Sequence, residues 1–89
     1  MTAERIIVVK NRAGIHARPA AELVKTAARF ASEITIARDD VEVNGKSIMG
    51  VMMLAAEQGA ELILRARGPD ADAALDALVL VVDSKFGES

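Results

Sequence analysis

The sequence predicts an α+β fold, a two-layer open-faced sandwich in which a four-stranded antiparallel sheet carries three helices on one face. Three observations carry this reading. Short apolar runs with strand character alternate with segments of helical periodicity, in the order β-α-β-β-α-β-α. An Asp-Asp pair and an Asn-Gly pair bracket the third strand as turn signals, so the middle strands form a hairpin. The chain has 89 residues and is 52% apolar, but its only aromatics are two Phe. That suffices for one small aliphatic core, and residues 1–89 are expected to form a single domain.

Each element follows from its local pattern. Ile6-Ile7-Val8-Val9 is a β-branched run and makes the first strand, which Asn11 to Gly14 breaks. From Ala17 to about Phe30 apolar residues fall at Ala20, Leu23, Val24, Ala27 and Ala31, the single stripe of an amphipathic helix. Pro19 sits in its first turn, where a missing N–H costs nothing, so the helix begins at His16 or Ala17. Glu33 to Arg38 alternates with Ile34 and Ile36 on one face, and Val41-Glu42-Val43 alternates again. Ser47 is an N-cap for a short helix from Ile48 to about Ala56. Glu61 to Arg67 is the fourth strand, with Leu62, Leu64 and Ala66 inward. Asp70 can cap a last helix whose stripe is Ala71, Ala74, Leu75, Leu78 and Val82; the tail after Lys85 is expected to fray.

Composition excludes several classes of function. A formal charge of −2, a pI near 5.3 and the lack of stacking aromatics argue against a nucleic-acid partner. With no Cys there is no disulfide, thiolate metal site or cysteine nucleophile. One His cannot build an ordinary zinc site, and no metal or cofactor is expected. The longest apolar runs, Ile6 to Val9 and Ala77 to Val82, fall far short of the roughly 20 residues of a membrane span. No signal-peptide core is visible near Thr2, Glu4 and Arg5, so a cytoplasmic location without membrane insertion is expected.

The chemistry concentrates in Gly14-Ile15-His16-Ala17-Arg18-Pro19-Ala20. A lone histidine is most often a surface or capping group, but this one heads a helix. The first N–H groups of a helix lack intrahelical acceptors and, with the helix dipole, favour an anion. Arg18 adds a guanidinium fork suited to phosphate, and the same positive field favours the neutral, nucleophilic imidazole. Ser47 has two readings, an N-cap and a phosphorylation site where added charge is tolerated, with Lys46 beside it. The segment Ile48 to Ala56 is apolar almost all round. Either Ile48, Val51 and Leu54 or a neighbouring set face the core while the rest form a Met-rich partner surface, or all are buried.

These two motifs, the His16 heptapeptide and Lys46-Ser47-Ile48-Met49-Gly50-Val51-Met52 followed by Gln58-Gly59-Ala60, resemble the HPr family, the histidine phosphocarriers of the bacterial phosphotransferase system. The resemblance covers nearly the whole chain and includes the order of elements. It implies that His16 accepts a phosphoryl group through Nδ1 from phosphorylated enzyme I and passes it to an enzyme IIA domain. It further implies that Arg18 and the backbone N–H groups of Ala17 and Arg18 hold the phosphoryl oxygens. Ser47 corresponds to the regulatory serine phosphorylated by an ATP-dependent HPr kinase/phosphorylase in many relatives. Ile48, Met49 and Met52 match an apolar docking patch, with Ala21 and Lys25 at its edge. Many relatives carry Ser, Thr or Asn where this chain has Ala13, so one side-chain hydrogen bond near the active centre is absent.

Such a protein is a carrier linked to sugar transport, regenerated in each cycle, rather than a turnover enzyme; with one docking face it is expected to be a monomer. Three other readings compete. A carrier of a nitrogen-related regulatory branch shares the same motifs. A small-ligand or RNA-binding module shares the β-α-β-β-α-β order but leaves the His-Ala-Arg-Pro helix start unexplained. A purely structural interaction module makes His16 dispensable.

Overall fold

The computed structural model describes residues 1–88. Its elements are β1 (Thr2–Val8), α1 (Ala17–Ala27), β2 (Glu33–Arg38), β3 (Val41–Asn44), α2 (Ile48–Met52), β4 (Glu61–Arg67) and α3 (Ala71–Asp83), followed by a 3₁₀ turn over Lys85–Gly87. The four strands form one antiparallel sheet in the order β1-β4-β2-β3, with all three helices on one face. The expected hairpin is β2–β3, with Thr35 opposite Asn44 and Arg38 opposite Val41.

Alternation sets which face of the sheet is covered. Ile7, Ile34, Ile36, Leu62, Leu64 and Ala66 point inward and are buried. They meet Ala20, Leu23 and Ala27 of α1, Val51 of α2, and Ala71, Ala74, Leu75, Leu78 and Val82 of α3. Each fully buried Leu contributes about 1.5–3 kcal/mol relative to exposure. The opposite face is solvated and laced with ion pairs; Arg65, for example, bridges Glu4 at 2.9 Å and Glu42 at 2.8 Å.

Five local expectations differ from the structure. β1 starts at Thr2, because β4 offers an unbroken partner from Arg67, opposite Thr2, to Glu61, opposite Val8. α1 ends at Ala27 and its continuation tightens into i→i+3 bonds, Thr26 O to Arg29 N and Ala27 O to Phe30 N, which leaves Ala31 exposed. α2 closes at Met52: 3₁₀-type bonds from Val51 O to Leu54 N and Met52 O to Ala55 N follow, and Ala55 turns to φ +48°.

Asp70 does not cap α3 with its side chain. Its carboxylate is used across the fold, accepting from the backbone N–H groups of Ala31 and Ser32, each at 2.9 Å, and from the Ser32 hydroxyl at 2.5 Å. These donors, the Ser32 hydroxyl first, hold the carboxyl below the usual carboxylate range. Finally, the residues after Lys85 are not frayed up to Glu88. Phe86 is buried against the core, and Glu88 N–H bonds to the Lys85 carbonyl at 2.8 Å.

Candidate functional site

The β1–α1 loop presents His16 by a lever built from three neighbours. Asn11 is fully buried and its Nδ2 donates to the Gly14 carbonyl at 2.7 Å, closing the turn from inside. Gly14 has φ +73°, and a Cβ there would lie 2.5 Å from the Ala56 carbonyl oxygen. Only glycine combines that conformation with that approach. Ile15 then enters the core and its N–H bonds to Ala56 O at 2.8 Å, so the next residue faces outward. That residue is His16, the N-cap of α1 in extended conformation, whose carbonyl accepts the first helical bond from Ala20 N at 2.9 Å.

The imidazole does not cap the helix. Its side chain is 46% exposed. The N–H groups of Ala17 and Arg18 have no acceptor among the described residues, and Pro19 has no N–H to satisfy. Arg18 reaches the carboxylate that also meets the imidazole. Its Nη2 lies 2.6 Å from Glu88 Oε2, and His16 Nε2 lies 3.1 Å from that oxygen. Asn11 Nδ2 donates to Glu88 Oε1 at 3.0 Å. The Glu88 side chain is only 17% exposed. Its carboxyl is held below the usual range, first by the Asn11 hydrogen bond, then by Arg18 and by the charges around it, against the opposing effect of burial. The side chains of Asn11, His16 and Arg18 thus meet on one carboxylate of the chain, which the N–H groups of Ala17 and Arg18 do not share.

The second motif folds as a surface. Ser47 is the N-cap of α2; its Oγ accepts from Gly50 N at 3.1 Å, as the capping reading requires. Of α2, Val51 is buried and Leu54 follows it into the core, whereas Ile48, Met49 and Met52 are exposed. Burial of all these apolar residues, one of the two expectations, therefore fails, and Ile48 leaves the expected core set. Met53, which the sequence reading did not single out, joins the patch at 73% exposure, close to the 77% of Met49. α2 packs on α1, which carries the exposed Lys25 and the half-buried Ala21.

Asn11 and Glu88 are the site residues that sequence reasoning missed. The available signals were an Asn-x-x-Gly turn before the histidine, and Phe86, one of two aromatics, which a small core does not leave in water. His16 lies on an exposed surface, away from the depression on the open sheet face around Glu33, Arg65 and Arg67. Among the described residues no cluster of His, Asp or Glu side chains is arranged to hold a metal ion, and no helix is long and apolar enough to cross a membrane.

Comparison with known proteins identifies the family. Residues 3–84 match the family model described as PTS HPr component phosphorylation site. The phosphocarrier protein HPr of Treponema pallidum is 52% identical over 84 residues, covering 94% of this chain and 96% of that one. The phosphocarrier protein NPr of Shewanella violacea is 41% identical over 86 residues, covering 97% and 94%. The crystal structure of HPr from Thermoanaerobacter tengcongensis superposes with a TM-score of 0.94 at 48% identity, covering 98% of both chains. The chain belongs to the HPr family of phosphotransferase-system phosphocarriers.

Proposed function

We propose that this protein is a single-domain phosphoryl carrier whose acceptor is His16, loaded by phosphorylated enzyme I and unloaded by an enzyme IIA domain. The observation that carries the reading is the start of α1: a half-exposed imidazole, two backbone N–H groups without acceptors, and Arg18 on the same carboxylate as the imidazole. In loading, the Nδ1 lone pair attacks phosphorus; the new N–P bond forms as the donor's bond to phosphorus breaks, and no proton need move. The N–H groups of Ala17 and Arg18 and the Arg18 guanidinium take the phosphoryl oxygens. A surface site suits this task, because donor and acceptor are themselves proteins that must close over the ring. The patch of Ile48, Met49 and Met52, edged by Ala21 and Lys25, is where they dock.

Ser47 is in addition the regulatory position, taking phosphate from an ATP-dependent kinase of the HPr kinase/phosphorylase kind. A phosphoryl group there adds up to two negative charges beside the apolar patch and weakens docking. The carrier works as a monomer in the cytoplasm. The decisive experiment incubates it with phosphoenolpyruvate, magnesium and enzyme I and reads intact mass before and after brief acid treatment. One acid-labile phosphoryl group, absent in His16→Ala, is expected; no label on a folded protein with an active enzyme I overturns the reading.

The similarity to an NPr favours a second reading, service in a nitrogen-related regulatory branch without sugar transport. Side-by-side loading by a sugar-type and a nitrogen-type enzyme I separates the two, the faster donor naming the branch.

A further inference from the structure

The turn that follows α2 is held in a left-handed bend by a side chain from the end of β2. Ala55 has φ +48°, a conformation that a residue with a Cβ adopts only under constraint. Leu54 and Ala56 are buried on either side of it, while Ala55 itself is exposed. The carbonyls of Leu54 and Ala55 accept no backbone N–H among the described residues. One guanidinium takes both. Arg38 Nη1 donates to Ala55 O at 2.9 Å and to Leu54 O at 3.2 Å, and its Nη2 pairs with the Glu57 carboxylate, 3.1 Å from Oε2. Arg38 thus grips residues 54, 55 and 57. The residue between them, Ala56, is the one whose carbonyl accepts the Ile15 N–H at 2.8 Å.

Resting on the carrier reading above, we infer that Arg38 is a positioning residue for phosphoryl transfer: it holds the left-handed turn at Ala55, so that the Ala56 carbonyl fixes Ile15 and with it the outward setting of His16. Arg38 makes no hydrogen bond to His16 and acts at two removes, through Ala56 and Ile15. The exposed Met52 and Met53 immediately precede the turn, so the clamp also sets where His16 stands relative to the surface on which a protein donor closes. Misplacing a reacting group by about 1 Å costs up to about 100-fold in rate, which makes such a setting matter. A glycine at position 55 would adopt the bend without a Cβ penalty. The clamp is therefore needed because position 55 is alanine.

The test uses the full chain as wild type, Arg38→Ala, Ala55→Gly and the double variant. Amide hydrogen exchange compares the Ile15 N–H with the amides of β4, which report opening of the whole domain. Initial rates of loading from phosphoenolpyruvate and enzyme I, at rising carrier concentration, separate kcat from KM. In Arg38→Ala the Ile15 amide is expected to lose about tenfold more protection than β4, and kcat to fall about five- to tenfold with KM within about twofold. Adding Ala55→Gly should restore most of both. If Arg38→Ala does not fold, Arg38→Lys, which keeps the charge but not the fork, is read in its place. Equal loss of protection at Ile15 and β4, an unchanged kcat for the folded variant, or no rescue by Ala55→Gly each overturns the inference and leaves the carrier reading standing. If wild type takes no label on His16, the carrier reading fails and the transfer role of Arg38 with it, whatever the exchange data show of the turn.

Discussion

Replacing Gly14 by Ala should cost far more than the same change at Gly59, although both glycines have positive φ. At Gly59 the backbone lies at φ +91° and a Cβ would meet nothing within 4 Å. Only the conformational penalty applies there, about 1–2 kcal/mol. At Gly14 φ is +73°, and the Cβ would lie 2.5 Å from Ala56 O and 2.9 Å from Glu57 Cα. Both neighbours are backbone, so no rotamer change relieves the contact, and forced repacking adds about 1–3 kcal/mol. The Ala56 oxygen also accepts the Ile15 N–H at 2.8 Å, so pushing it away loosens the bond that seats the loop. The total for Gly14→Ala is about 2–5 kcal/mol, which in a domain of this size lowers Tm by about 10 °C or more. Urea denaturation of the two variants and wild type, fitted with a common slope, measures the difference directly. Phosphoryl uptake at His16 should fall for Gly14→Ala even where the protein is folded, since the lever that turns His16 outward is displaced. Equal losses of stability for the two variants would refute the argument from close approach.

Other outcomes follow from single contacts. Leu78→Ala removes a fully buried side chain beneath the sheet and should destabilise by about 2–5 kcal/mol in the same denaturation assay. Ser32→Ala takes away the hydroxyl that both donates to Asp70 and accepts from its N–H, at an expected cost of about 1–3 kcal/mol. Asp70 and Glu88 both have lowered folded-state values, so their contributions are complete above the ordinary carboxylate range and disappear as pH falls through the folded values. Stability should therefore drop more steeply below about pH 4 in wild type than in Asp70→Asn, as thermal melts across pH would record. Met49→Asp should leave stability within about 0.5 kcal/mol, because the side chain is 77% exposed, and should weaken enzyme I binding by about fivefold or more in a titration.

The sequence made regular elements with a long repeat legible. β4 occupies Glu61–Arg67 as its alternation required, and all five residues of the α3 stripe are buried, because thirteen residues of one period leave a single phase. α2 was harder to read: five helical residues, apolar on every side, carry no phase information, and the tertiary contact of Val51 alone decides it. Asp70 looked like a cap because local pattern offers only local partners, whereas its real donors are 38 and 39 residues away. The site divides in the same way. His16, Ala17 and Arg18 are contiguous and were read together. Glu88 joins them only because α3 and the buried Phe86 bring the end of the chain back across the β1–α1 loop, a closure of 72 residues that no spacing rule encodes.

The strand order has a consequence for how the molecule comes into being. β4 lies between β1 and β2 and pairs with both, yet it is the last strand made. While the chain is emerging from the ribosome, β2 and β3 can close their local hairpin, but β1 has no neighbour until residue 67 is free. The four-stranded sheet therefore cannot close before β4 is made, because β4 is the strand with which β1 pairs. A chain cut short at residue 60 would retain the His16 heptapeptide and the Ile15–Ala56 bond that seats it, but would lack β4 and α3, which supply much of the core.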